Sequence, residues 1–536
     1  MKQRFYNSSK LIRFILRKER ISSSLWIIGL VLFSAILASS MANMFDEASR
    51  MALVETLKNP AMIAMMGPIY GIDNYTFGAM YSHTMLLWVV IAVAVMNIFF
   101  VVRHTRADED HGRIEVVRSL PSGRIANLHA TMVSAVMINS VLAVLTAIGL
   151  AITGDDSMSF VSCILYGLIL GSSGLLFAAI AALFAQVSNN AGGAIGYSLL
   201  SLGVFYIMRA AGDLKSEALS VISPLGLIQR TQIFVENNWW VLPILLLEFL
   251  AIATLAYWVN SKLDMNQGII PVKQGKKRAS AWLRSSFGLS YRLLRATIII
   301  WFIVLFLLGA SYGSIFGDID TFIGENELYQ NLVGVNDDYS ITVMYAVFVN
   351  KLMSLVCLIP LLMIALKARR EESDGRAENV LTRAVSRQKY LLGYLSLAFV
   401  SSVLFQIATA VGMYIAASSA LPNPDELGIG LGLLLRSNLI YLPALWVSIA
   451  LAVFLTGILP KAANAIWLFF GFSFIVVFFG LILNLPTWIE KLCPFSYIPL
   501  VPIDDVNYLT LGMLTFIAIV LSGIGFFGYR RRDLTS

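Results

Sequence analysis

Charge is scarce in this chain, and acids are scarcest where the chain is most apolar. Charged residues occupy 13% of the 536 positions, against roughly 25% in a soluble globule. That excludes an ordinary water-soluble domain. Glu248 is the main acid inside a long apolar run, so a carrier built on several buried carboxylates is poorly supported. Cysteine is rare too: Cys163, Cys357 and Cys493 are scattered, with neither metal-ligand nor disulfide spacing. The four histidines, His83, His104, His111 and His129, join no Ser/His/Asp or metal cluster, which leaves no catalytic constellation. No G-x-x-x-x-G-K-[ST] is present, and QGKKRAS at 274–280 lacks the glycine spacing. Energy from ATP would have to come through another protein. Asp318 and Asp320 form a D-x-D, but in an acidic segment without any further glycosyltransferase signature.

What the chain has instead is apolar length. Hydrophobic residues make up 58% and the mean hydropathy is +0.77. Several runs reach the roughly 20 residues that a helix needs to cross a bilayer. The short alternating segments of a membrane β-barrel are missing. The pattern predicts an all-α polytopic membrane protein. Six spans fall near 25–44, 80–102, 128–152, 160–186, 191–208 and 240–259. Six more fall near 296–314, 341–366, 390–417, 437–458, 464–483 and 507–529. Residues 8–21 alternate basic and apolar side chains and read as an amphipathic helix lying along the membrane surface.

The net charge of +7 is distributed by topology. With the N-terminus inside, the inner segments collect seven Lys/Arg before residue 21, five arginines in 103–124, eight Lys/Arg in 262–295 and seven in 367–389. Segment 315–340 carries six acids and no Lys or Arg, and falls outside. This is the positive-inside pattern. It accounts for the basic balance through topology and anionic lipid, with no nucleic-acid partner. Both chain ends are then cytoplasmic.

The two halves repeat. RADEDHGRIE at 106–115 returns as RREESDGRAE at 369–378, an ungapped offset of 263. Each copy joins two membrane-length runs. The expected domains are a first six-span repeat at 1–265, a basic linker at 266–282 and a second repeat at 283–536. Six spans per half make the repeat parallel, since an inverted one needs an odd number. Within each copy, Glu109–Arg113 and Glu372–Arg376 have the i,i+4 spacing of a helix-stabilising pair. Gly112 and Gly375 permit a turn without a Cβ. A short charged helix, present once per half, suits a two-fold symmetric partner.

These residues resemble a known motif. Glu109, Gly112, Arg113 and Glu115, followed by Ser122 and Arg124, and then Glu372, Gly375, Arg376 and Glu378, followed by Ser386 and Arg387, are similar to the coupling-helix loop of ABC-2-type (type V) exporter permeases. The fused twelve-span plan, with ISPLGLIQR and NNWW before the sixth span, resembles the exporters of polyketide antibiotics, of the tetronasin and polyether-ionophore (narasin) type. The resemblance implies two tandem six-helix repeats, docked by two copies of a separate ATPase that carries ATP and Mg. This chain would be a transporter subunit, not an enzyme, and would bind no cofactor or metal itself. A Gram-positive plasma membrane is implied by the same resemblance. The copies differ at His111 against Asp374, so the two contacts need not be equal.

The resembled fold faces its second and fifth spans to a central path. That makes Met85, Trp88, Asn97, Phe205, Tyr206, Tyr345, Phe348, Asn350, Lys351, Trp467 and Phe470 candidates for the path of a bulky hydrophobic substrate. Lys351 lies some ten residues into its span and is placed to attract an anionic group or pair with an acid. Asn97 and Asn139 also suit hydrogen bonding between helices. An ion-gradient-driven multidrug transporter, or an exporter of lipid or peptide, is the alternative.

Overall fold

A computed structural model describes residues 5–58, 60–119, 121–263, 267–270, 278–318, 340–383, 385–421, 429–483 and 486–533. The acids from Asp320 to Asp338, linker residues 271–277, and Asp425 with Glu426 lie outside them. Among the described residues every regular element is helical, and twelve helices are long and apolar enough to cross a membrane. The protein is an all-α polytopic membrane protein. It divides into two compact units, Met1–Gly275 and Lys276–Ser536.

The first unit holds α1 (Ser8–Met44), α2 (Phe77–His104), α3 (Ala126–Ala151), α4 (Phe160–Val187), α5 (Ala191–Lys215) and α6 (Val241–Lys262). The second holds α7 (Ser286–Gly313), α8 (Ile341–Ala365), α9 (Arg387–Ala420), α10 (Leu442–Ile458), α11 (Ile466–Leu483) and α12 (Tyr508–Arg531). Four boundaries differ from expectation, one of them in the seventh span, which begins at Ser286 rather than near 296. The amphipathic stretch 8–21 is not a separate element but the first turns of α1, which runs unbroken for 37 residues. No proline or glycine precedes Gly29 to end it. The fifth span continues past 208 to Lys215 and so carries Arg209. The tenth span begins earlier, as a helix Leu431–Leu439 that stops before α10, where Pro443 occupies the first turn.

Small residues let these helices touch backbone to backbone. In the second unit, a Cβ on Gly309 would sit 2.3 Å from the Thr409 carbonyl oxygen, and one on Gly313 would sit 2.2 Å from that of Met413. Gly309 and Gly313 have the G-x-x-x-G spacing, and they press α7 onto α9. In the first unit Gly167 brings α4 against the Ala143 carbonyl of α3, with 2.2 Å left for a Cβ. Lipid offers no hydrophobic drive between helices, so this close contact has to hold them.

All three cysteines are free and buried. Burial pushes the Cys493 thiol, which lies between α11 and α12, above its ordinary range, so less of it is thiolate at neutral pH. A water-soluble maleimide should therefore leave all three unlabelled in the folded protein at pH 7.5 and label them after denaturation. Fast labelling of native Cys493 would contradict this placement.

Candidate functional site: the paired charged loops

The two copies of the charged loop fold alike. After α2 the chain makes a short helix, Arg106–Asp110, turns at Gly112 and resumes as Arg113–Ser119. After α8 it makes Lys367–Ser373, turns at Gly375 and resumes as Glu378–Leu381. Gly112 has φ +68° and Gly375 φ +69°. The Gly112 amide donates to the Glu109 carbonyl at 2.9 Å and the Gly375 amide to the Glu372 carbonyl at 3.0 Å. Nothing lies within 4 Å of a Cβ at either position. Glycine is therefore required by the left-handed backbone, not by crowding.

That turn changes the ion pairs. Arg113 Nη1 donates to Asp108 Oδ1 at 3.0 Å rather than to Glu109. Arg376 donates to Glu371 through Nε at 2.9 Å and Nη2 at 3.1 Å rather than to Glu372. Asp108 and Glu371 stand at the same offset of 263, so the bridge across the glycine is duplicated with the loop. The i,i+4 expectation assumed a continuous helix. The turn folds the arginine back over the acid one position earlier. The bonded Glu371 carboxylate pushes the Arg376 guanidinium above its ordinary range. Glu109 and Glu372 are taken up by Arg106 and Arg369, three residues before each.

What anchors the loops differs. The first is tied to α1. Glu19 is buried and accepts from His104 Nε2 at 3.0 Å and from Arg103 Nη1 at 3.0 and 3.2 Å. Lys18 Nζ lies 3.5 Å from Asp108 Oδ1. Asp110 accepts the Ala191 amide at the start of α5, at 2.6 Å. The second loop is tied to the end of α12. Arg532 donates through both Nη1 and Nη2 to Glu372, each at 2.6 Å. Arg387 Nη1 donates to the Arg532 carbonyl at 2.5 Å, a tie the first unit shares, where Arg124 Nη2 donates to the Leu263 carbonyl after α6 at 2.8 Å; the Glu372 bridge is what the first unit lacks.

Of the eight residues expected at the docking surface, Arg113, Glu115, Arg376 and Glu378 are exposed. Glu109 is half-buried and Glu372 buried, so they brace the loops from within. His111 and Asp374 are exposed at the turns, which keeps the difference between the copies on the surface. Glu19, His104, Asp108, Glu371 and Arg532 were not singled out from the sequence. Asp108 and Glu371 had a signal in the repeat itself; the distant anchors had none.

The substrate-path candidates separate by chemistry. The asparagines are spent on helix contacts. Asn97 and Asn139 are buried and exchange hydrogen bonds at 3.0 and 2.7 Å, joining α2 to α3. Asn350 donates to Ser437 at 2.6 Å and accepts from Asn438 at 2.8 Å. Lys351 is half-buried and makes no hydrogen bond or ion pair among the described residues; Glu490 is within electrostatic reach. Among the aromatics, Trp88 is exposed and Phe205, Tyr206, Phe348, Trp467 and Phe470 are half-buried, as is Met85. Tyr345 is buried edge-on against Phe316. Tyr206 donates to the Met65 carbonyl at 2.9 Å and lies beneath Arg209. Arg209, not foreseen, is fully buried. It pairs with Asp213 at 3.2 Å and donates to the carbonyls of Ala64 and Met65. It fastens the helix Pro60–Met66 to α5.

Among the described residues, twelve apolar helices in two units, with one charged loop of the same build in each, define a multi-pass membrane protein built from a repeat. The family model described as multidrug efflux system permease Rv1217c, C-terminal domain, matches residues 9–259 and 283–530, and the chain belongs to that family. It is 29% identical over 536 residues to the multidrug efflux system permease protein Rv1217c of Mycobacterium tuberculosis (strain ATCC 25618 / H37Rv), covering 99% of this chain and 96% of that protein.

Proposed function

We propose that this chain is the membrane subunit of an ATP-binding-cassette exporter. It expels bulky hydrophobic drugs, polyketide and polyether antibiotics among them, from the cytoplasm of a Gram-positive cell. Two copies of a separate ATPase, carrying ATP and Mg, dock on the loops at 106–119 and 367–381. The observation that carries this reading is the duplicated loop, with its shared left-handed glycine and arginine bridge. A chain without a nucleotide motif keeps two copies of one rigid, charged surface. The family's drug-efflux relative supports the substrate class. Aromatic and methionine side chains half-exposed on α2, α5 and α11 suit an apolar cargo.

The exposed acids supply the test. Glu115→Lys with Glu378→Lys leaves the inner braces intact and reverses charge on both docking faces. ATPase capture should fall about tenfold or more, with unchanged yield of folded permease, and drug export should fall with it. Full capture and export in the double variant would count against docking there. A second reading, drive by an ion gradient, rests on Glu248, whose Oε2 is buried without a hydrogen-bond partner among the described residues. Export that needs a proton gradient and no ATP would favour it.

A further inference from the structure

A shallow groove open to the surface runs between α1 and α2, at the end of the first unit that carries the charged loop. Its walls are polar near the loop and mainly apolar beyond, where the one polar residue, Asn97, is already paired with Asn139. Glu19, Ser22, Ser23 and Arg103 line the end nearest the loop; Trp26 and Phe99 line the deeper end. Trp26 follows Glu19 by seven residues, about 10 Å along a helix. Trp26 and Phe99 are each 41% exposed. Their neighbours Leu25 and Ile28 on α1 are exposed as well, as on a lipid-facing surface.

At the polar end one cation, Arg103, faces one anion, Glu19, but the donors of the guanidinium are not all used. Arg103 satisfies Glu19 with Nη1 alone. Its Nε and Nη2 make no hydrogen bond among the described residues, and its side chain is 49% exposed. Glu19 is already held by His104 as well, so it has little left for a cationic ligand. Arg13, Arg17 and Arg20 on α1 are also exposed. The ligand that fits is anionic at the membrane surface and apolar below it.

We infer that this groove is a binding site for an anionic phospholipid. The phosphate accepts from the free guanidinium edge of Arg103, the Ser22 and Ser23 hydroxyls lie at headgroup level, and an acyl chain runs over Trp26 and Phe99. One cationic contact near an anionic headgroup favours it about fivefold over a zwitterionic one. The site sits beside the Glu19–His104 anchor of the first loop, so an occupant bears on that loop.

The full-length protein, reconstituted in symmetric vesicles, tests this without ATPase or drug. The probes are phosphatidylglycerol and phosphatidylcholine carrying the same brominated chains. Subtracting the signal of Trp26→Phe isolates the fluorescence of Trp26. Quenching of Trp26 should reach half its limit at about fivefold lower mole fraction of phosphatidylglycerol. Arg103→Gln should abolish that preference. Ser23→Leu, which fills the groove without touching the ion pair, should abolish it too and decides the matter if Arg103→Gln does not fold. Equal quenching by the two lipids in the wild type overturns the site. So does a preference that survives Ser23→Leu, or one lost on Arg13→Gln but kept in Arg103→Gln, since that is diffuse attraction to the basic helix. The vesicles are symmetric, so the outcome does not depend on which leaflet is cytoplasmic or on the exporter reading.

Discussion

Arg532→Ala alone should destabilise the second unit more than Arg532→Ala combined with Glu372→Gln. The Glu372 side chain is 2% exposed and Arg532 only 13%, and two hydrogen bonds of 2.6 Å join them. Removing one partner of a buried pair strands the other charge, at about 3–5 kcal/mol. Arg369 remains 3.4 Å from Glu372 and offsets part of that, so about 2–3 kcal/mol is expected here. A neutral glutamine at 372 needs hydrogen bonds but no counter-charge, and the double variant should recover more than half the loss. Thermal unfolding of the purified permease reads this directly. Equal midpoints for the single and double variants would mean that Glu372 finds other compensation. The effect should be confined to the second loop. The residue that follows α6 as Arg532 follows α12 is Leu263, whose carbonyl accepts from Arg124 Nη2 at 2.8 Å and whose side chain offers no charge. In a permease driven through both loops, Arg532→Ala should therefore silence one of two contacts. That asymmetry extends the difference already seen between His111 and Asp374.

The twelve helices were legible because membrane length is written directly as apolar length, and nothing in lipid competes with a helix for the backbone. The repeat made the glycine turn legible as well. The pairing within it was not. Glu109–Arg113 has helical spacing, but the spacing rule holds only while the helix continues, and Gly112 ends it. Asp108, one position earlier, receives the arginine. The anchors lay further from reach. Glu19 and His104 are 85 residues apart, and Glu372 and Arg532 are 160 apart. No local period links such pairs. Arg209 shows what a boundary error hides. Ending the fifth span at 208 leaves Arg209 as an ordinary loop charge, whereas one more turn of helix buries it against Asp213. The asparagines show the opposite case. Polar groups in apolar runs demand partners, so Asn97 and Asn139 were recognisable as helix glue, although their pairing with one another was not.

Gly174→Ala should be among the most damaging small substitutions in the first unit, because it strikes that pair. A Cβ at 174 would lie 2.0 Å from Asn139 Oδ1, 2.7 Å from Asn97 Nδ2 and 2.8 Å from Val93. Neither amide has room to yield. Asn97 also donates to the Val93 carbonyl at 2.9 Å and Asn139 to the Ala135 carbonyl at 2.9 Å, which fixes both side chains against their own helices. The methyl group must therefore part α4 from α2 and α3, or break the reciprocal bonds and leave amide groups unpaired in an apolar interior. Overpacking costs about 1–3 kcal/mol, and each stranded polar group about 1–3 kcal/mol more. A loss of about 3 kcal/mol or greater is expected, seen as a lower unfolding midpoint and a smaller yield of monodisperse protein. Asn139→Ala in the Gly174→Ala background removes the nearest obstacle and leaves Asn97 its bond to Val93, so it should restore part of the loss. Asn97→Leu with Asn139→Leu in the wild-type background removes both polar groups together and should cost less than Gly174→Ala. If Gly174→Ala is as stable as the wild type, α4 does not approach the asparagine pair as closely as these distances require.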